Sequence, residues 1–167
     1  MKGADWVTAV EFAIKMELDG EKYYLEQAAK TEHSGLRAVF HLLAAEERAH
    51  ADLLERYQAK KEYELQGSTV PERVKGVFAQ EEDLRVEFKA RPDVIDAYKL
   101  ALAKEKESID LYEKMGAEAD SAGEKRLFEF LVEQEKLHYN MFQDLIEHVI
   151  KAEQWVESAE FGLREDY

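Results

Sequence analysis

The sequence predicts an all-α protein: a four-helix bundle built from two antiparallel helical hairpins, with one long crossover between helices two and three. Three observations carry that expectation. The chain has only 8 Gly and 2 Pro in 167 residues and is rich in Ala, Leu, Glu and Lys, which enter helices at little cost. Four segments repeat apolar side chains at steps of three and four, which puts each set on one helical face. Turn signals separate the segments unevenly, leaving two short connections and one long one.

The first segment runs from about Ala4 to Lys30, with Trp6, Val10, Ala13, Glu17, Gly20, Tyr24 and Ala28 on one stripe. The second runs from about Ser34 to Leu65 and aligns Leu36, Phe40, Leu43, Glu47, His50, Leu54 and Tyr57. The third starts near Pro92, a residue favoured in a helix's first turn, and aligns Tyr98, Ala101, Glu105, Ser108, Tyr112 and Met115. The fourth, from about Gly123 to Ile150, aligns Phe128, Leu131, Glu135, His138, Phe142, Leu145 and Val149.

His33-Ser34-Gly35 and Asp120-Ser121-Ala122-Gly123 are short turns, so residues 4–65 and 92–150 form two hairpins. The connection over residues 66–91 carries turn signals at Gly67-Ser68-Thr69-Val70-Pro71 and Gly76, with room for a short helix around Glu81–Phe88. At ~3.3 Å per extended residue it spans the length of a bundle. The tail, residues 151–167, holds Trp155, Phe161 and Tyr167 and is expected to pack on the bundle or a partner subunit. Residues 1–167 thus read as one domain.

Composition narrows the function. Asp and Glu number 37 against 23 Lys and Arg, a formal charge of −14, which argues against nucleic acid and anionic membrane surfaces as partners. With 46% hydrophobic residues the chain still has material for a core. It has no cysteine, and so no thiolate ligand, disulfide or thiol nucleophile. Charges interrupt every apolar run, so neither a signal peptide nor a membrane span is expected, and a cytoplasmic protein is.

Shifting the chain by 88 residues aligns 9–50 with 97–138 without a gap and gives ten identities. They are Ala9/Ala97, Ala13/Ala101, Glu17/Glu105, Tyr24/Tyr112, Ala29/Ala117, Gly35/Gly123, Phe40/Phe128, Leu43/Leu131, Glu47/Glu135 and His50/His138. Roughly three would follow from composition. Two hairpins of like design are therefore expected to face one another across a pseudo-twofold axis.

Four glutamates, Glu17, Glu47, Glu105 and Glu135, sit among apolar neighbours on the stripes that the helices bury. A carboxylate is costly there unless paired or metal-bound. His50 and His138 each follow a Glu by three positions, which places both side chains of the pair on one face. Two divalent cations would balance four carboxylates, with the imidazoles as neutral ligands. Glu-x-x-His alone is a weak signal; its force comes from repeat register, stripe position and the extra Glu in each hairpin. Tyr24 and Tyr112, two turns beyond the single glutamates, are read either as core residues or as hydroxyls that orient a ligand carboxylate. His33, His41 and His148 are expected to be solvated. Met16, Met115 and Met141 read as core filler, and the charged runs Glu81-Glu82-Asp83 and Lys104–Glu107 as solvated faces, Glu105 excepted.

One Glu from each of two helices and Glu-x-x-His from the other two is the pattern of ferritin-like dinuclear carboxylate bundles. Over about residues 5–150 the chain resembles the rubrerythrin branch of the ferritin-like superfamily. The resemblance implies a ferritin-like bundle in which Glu17, Glu47, His50, Glu105, Glu135 and His138 hold two iron ions, with manganese or zinc as alternatives. Two departures stand out. Full-length rubrerythrins also carry a cysteine-ligated rubredoxin iron, and they tend to have a further Glu three residues after the helix-three ligand, where this chain has Ser108. In rubrerythrins that Glu takes part in iron movement during peroxide reduction, a part that Ser108 does not supply. The six-residue set is closer to that of bacterioferritin, but Arg48 occupies the position of the haem-binding Met, so no haem is expected.

The leading expectation is an iron-dependent oxidoreductase acting on peroxide or dioxygen. Without a second redox centre it would need an external electron donor, for which a small redox protein is the expected partner. The other two readings are an iron-binding, ferroxidase or storage protein, and an inert metal-holding module. A homodimer or higher homo-oligomer is expected.

Overall fold

The computed structural model describes residues 3–79 and 93–162. Among the described residues five helices follow in order: α1 (Ala4–Lys30), α2 (Ser34–Gln58), α3 (Val70–Phe78), α4 (Val94–Ala117) and α5 (Ala122–Gly162). No strand occurs among the described residues. None of these helices is long and apolar enough to cross a membrane. α1 packs along α2 and α4 along α5, and these two hairpins form the four-helix bundle, with α3 resting against α2 and α5.

The stripes are the buried faces. Val10, Ala13, Glu17, Tyr24 and Ala28 of α1 are buried, as is every stripe residue of α2 from Leu36 to Leu54. In α4 the whole stripe from Tyr98 to Met115 is buried. The repeat extends to the turns. His33 and Ser121 are mates at a spacing of 88, and each side chain accepts a hydrogen bond from the backbone N–H three residues on, at Leu36 (3.2 Å) and Glu124 (3.1 Å). Such caps satisfy one of the orphan donors at a helix start. His33 therefore departs from the solvated expectation: its ring turns inward to cap α2 and is 9% exposed. His41 is exposed and His148 half-buried.

Three boundaries differ from the sequence reading. α2 ends at Gln58 rather than near Leu65. The Lys60 and Lys61 N–H groups turn back to the carbonyls of Tyr57 and Arg56, at 3.0 and 2.9 Å. This is a left-handed helix stop of the Schellman type. Lys60 occupies the left-handed position, φ 55°, that glycine usually takes, so the sequence shows no stop signal. A side chain there costs about 1 kcal/mol. Lys60→Gly is expected to raise Tm by about 2–4 °C, measurable by thermal melting; a lower Tm would show that the lysine side chain contributes more than its backbone costs.

The second difference is α3. Val70-Pro71 opens a helix instead of closing a turn, since Pro in the first turn forfeits no helical hydrogen bond. Val70, Val74 and Val77 of α3 are buried against the bundle. Its approach leaves no room at Gly35, where a Cβ would lie 3.0 Å from Val77 Cγ2. The third difference is α5, which runs to Gly162 rather than ending near Ile150, so most of the expected tail is helical. The expected start at Pro92, the Glu81–Phe88 helix, the Glu81-Glu82-Asp83 run and Tyr167 lie outside the described residues.

Two apolar clusters close the ends of the bundle. One gathers Tyr24, Leu36, Phe40, Tyr98, Phe142 and Leu145 with the valines of α3. The other gathers Val10, Leu54, Tyr112, Met115, Phe128 and Leu131. At the second end the Trp6 ring N–H donates to the Tyr57 hydroxyl (3.1 Å), which donates to Glu124 (2.6 Å), tying α1, α2 and α5 together. Fully buried Phe and Leu side chains stabilise a fold by about 1.5–3 kcal/mol each. Two such clusters can offset the cost of the polar layer that lies between them.

Candidate metal centre

Between the clusters, each long helix turns polar residues inward at mid-height: Glu17 from α1, Glu47 and His50 from α2, Glu105 from α4, Glu135 and His138 from α5. All six are buried, none more than 5% exposed. They form two groups of four: Glu17, Glu47, His50 and Glu135, and Glu47, Glu105, Glu135 and His138. Within each group one donor atom per residue lies within 4.8 Å of every other. Glu47 and Glu135 belong to both groups and therefore sit where a carboxylate can span two ions. The sequence reading left that distinction open.

The histidines face the carboxylates through Nδ1. His50 Nδ1 lies 2.9 Å from Glu135 Oε1 and 3.5 Å from Glu17 Oε2. His138 Nδ1 lies 3.1 Å from Glu47 Oε1, 3.6 Å from Glu135 Oε2 and 3.7 Å from Glu105 Oε2. Glu135 thus turns one oxygen toward each imidazole. Despite these distances, Glu17 Oε2, Glu47 Oε1, both oxygens of Glu135 and both Nδ1 atoms make no hydrogen bond. Buried polar atoms without partners are rare and costly. Six of them converging on one layer suit cations, and oxygen with imidazole nitrogen is a donor set for iron, manganese or zinc.

The electrostatics of the metal-free layer show the same need. Burial, reinforced by Glu135, raises the Glu105 carboxyl to about 8. Burial also pushes Glu47 well up, with Glu135, Glu17 and Glu105 adding to it. Burial opposes charge on His50, but Glu135 and Glu17 together outweigh it and the net direction is up. For His138 the same burial is outweighed by Glu105, Glu135, Glu46 and Glu47. Glu135 goes the other way: burial raises it, and His50 with His138 pulls it well below the usual range. Without cations, then, protons and imidazolium charge share the layer.

Tyr24 and Tyr112 cross the pseudo-twofold axis. The Tyr24 hydroxyl donates to Glu105 Oε1 and the Tyr112 hydroxyl to Glu17 Oε1. Each tyrosine holds the single glutamate of the opposite hairpin, leaving that carboxylate's Oε2 toward the imidazole. Burial and the adjacent carboxylates raise both hydroxyls well above the ordinary tyrosine value, so they remain donors.

Two features of the layer were not read from the sequence. Glu46, one position off the stripe, lies 2.7 Å from His138 Nε2 through its Oε2. The contact joins the two hairpins, so nothing local signals it. The other is room. A cavity of about 160 Å³ between α1 and α4 is lined by Gly20, Tyr24, Glu47, Glu105 and Ser108, with Phe12, Lys15, Met16, Asp19, Lys104 and Glu107 around them. Gly20 and Ser108 are repeat mates. The Ser108 hydroxyl donates to the Lys104 carbonyl (3.2 Å) and lies 3.7 Å from Met16 Sδ. Met115 and Met141 are buried in the apolar clusters, whereas Met16 is half-buried at this cavity. Glu107 is exposed, and Arg48 pairs with Glu21 at 2.9 Å.

Gly20 sits against Glu47: a Cβ there would lie 2.7 Å from Oε2. Gly20→Ala is expected to push this shared carboxylate aside and weaken metal binding about tenfold or more. Gly67→Ala, with open space around its Cβ position, serves as the control. Equal affinity for both variants in an equilibrium metal titration would show that Glu47 adapts without loss.

The family model for Rubrerythrin matches residues 9–146. That stretch contains the six buried donors, both tyrosines and the whole internal repeat. Neither the curated proteins nor the solved structures compared with the chain gave a match.

Proposed function

Because the chain belongs to the rubrerythrin family, and so to the diiron-carboxylate proteins of ferritin-like fold, we propose that it is an oxidoreductase that reduces peroxide or dioxygen with electrons from an external donor. The observation that carries this reading is the set of six buried donor atoms, none of them hydrogen-bonded, within one layer, with a cavity that reaches Glu47 and Glu105. Two ferrous ions there would supply the two electrons that reduce one peroxide to water.

The chain's own residues provide the rest. Glu47 and Glu135, which belong to both groups, would contribute to both positions, while Glu17 with His50 and Glu105 with His138 would complete one each. The tyrosine hydroxyls keep the two single glutamates oriented. The apolar clusters above and below keep water from the layer at the two ends of the bundle, and the α1–α4 cavity is large enough for a small oxidant. We propose a small redox protein as the donor, since a rubredoxin-type iron needs cysteine ligands and residues 1–167 contain none. A homo-oligomer remains part of the proposal.

Iron binding with ferroxidase or storage activity is the competing reading of the same site. Anaerobic ferrous protein given peroxide or oxygen, with and without a chemical reductant, separates the two. Repeated oxidant consumption per chain in the presence of reductant is expected. Stoichiometric oxidation followed by growth of large iron-containing particles would instead make it a storage protein. Protein that binds iron yet consumes neither oxidant would be a structural module.

A further inference from the structure

The polar layer is nearly twofold symmetric, but Glu46 breaks that symmetry. Its repeat mate at a spacing of 88 is Gln134, so an acid at one position faces a neutral amide at the other. Glu46 is half-buried on α2 and its Oε2 lies 2.7 Å from His138 Nε2. The crossover holds the same carboxylate. The Ser68 hydroxyl lies 2.8 and 3.0 Å from its two oxygens, and the Thr69 N–H donates to Oε1 at 3.2 Å. An ionised carboxylate only accepts hydrogen bonds, so Nε2 of His138 is the donor, which leaves Nδ1, on the side of Glu47, Glu105 and Glu135, as the ligand atom once a cation displaces its proton. An imidazole that donates to a carboxylate is fixed in tautomer and orientation, and is a stronger ligand through its other nitrogen.

We propose that Glu46, clasped by Ser68 and Thr69 of the crossover, is a positioning residue that makes the two metal positions unequal, the His138 position binding more tightly than the His50 position. This inference rests on the dinuclear reading of the site. It also gives the long crossover a role: the segment that joins the hairpins sets the ligand strength of one histidine.

The test is an anaerobic Mn(II) titration of the full chain, followed by equilibrium dialysis and metal analysis. The wild type is expected to fill in two steps. Glu46→Gln is expected to weaken the tighter step about 10–100-fold and to leave the other within about twofold. Ser68→Ala is expected to give a smaller shift in the same step. Gln134→Glu, which supplies the missing acid, is expected to tighten the weaker step and bring the two together. In the Zn(II)-loaded protein, the His138 Nε2–H resonance should lie downfield in the nitrogen-correlated NMR spectrum and move upfield in Glu46→Gln, a signature that altered stability alone does not produce. Equal weakening of both steps by Glu46→Gln, or an unmoved resonance, overturns the inference. Wild-type protein that binds fewer than two ions overturns the dinuclear reading itself, an outcome distinct from either.

Discussion

Glu135→Ala is expected to abolish binding at both metal positions, whereas Glu17→Ala abolishes one. The difference follows from how the oxygens divide. Glu135 directs Oε1 toward His50 and Oε2 toward His138 and belongs to both four-residue groups, while Glu17 belongs to one. Removing the shared carboxylate takes a ligand from each group and leaves His50 and His138, one on each side, without their common counter-charge. His50→Ala, with one imidazole deleted from one group, is expected to behave like Glu17→Ala. Metal analysis of protein purified under identical loading reads the outcome: about two ions per chain for wild type, about one for Glu17→Ala and His50→Ala, and near zero for Glu135→Ala. These are the stoichiometries expected of a dinuclear carboxylate bundle. If Glu135→Ala retains two ions, the centre lies elsewhere. If Glu17→Ala also loses both, the positions are filled cooperatively rather than group by group. Melting curves recorded on the metal-free variants separate lost ligation from lost folding.

What the sequence could reveal depended on the range of the interactions involved. The stripes of α1, α2, α4 and α5 were legible because a helix presents its buried face at a fixed period. The six inward polar residues were legible because they interrupt those stripes in repeat register. That one observation distinguishes Glu47 from Glu46 and Glu105 from Glu107. The end of α2 was not legible, since its stop relies on Lys60 adopting a conformation that sequence patterns associate with glycine. α3 was missed because Pro71 has the same appearance in a turn and in a helix's first turn. Glu46 was missed for a different reason. Off the stripe it looks like a solvated acid, and its value comes from His138 in the other hairpin and from Ser68 and Thr69 in the crossover. The tyrosines occupy a middle position: their stripe register suggested an orienting bond, but only the fold shows that each reaches the opposite hairpin.

Metal loading is expected to raise Tm substantially, and by more at alkaline than at acidic pH. With free metal at about 1,000 times Kd, one site stabilises the native state by about 4 kcal/mol, and two by about 8. For a chain of this size that corresponds to a Tm increase of roughly 15–30 °C. The pH dependence comes from the metal-free layer. Glu105 has its folded value raised to about 8 from about 4.5, so folding takes up a proton in that interval. Its contribution is full below about 4.5 and is lost as pH rises through about 8. Glu47 shifts in the same direction. His50 and His138 do so as well, losing their contribution above the ordinary histidine range. Glu135 is depressed, so its contribution is lost only as pH falls below the ordinary carboxylate range. Between about pH 5 and 9 the larger number of groups therefore makes the metal-free protein less stable as pH rises. Metal binding runs the other way, because ions displace protons from these same atoms and affinity rises as the protons leave. Melting curves at pH 6, 7, 8 and 9, with and without Mn(II), should show a gap that widens at each step, and an unbuffered titration should show proton release on binding. A gap that narrows with pH would mean that the buried carboxylates are already ionised without metal, and that something other than shared protons keeps four of them together.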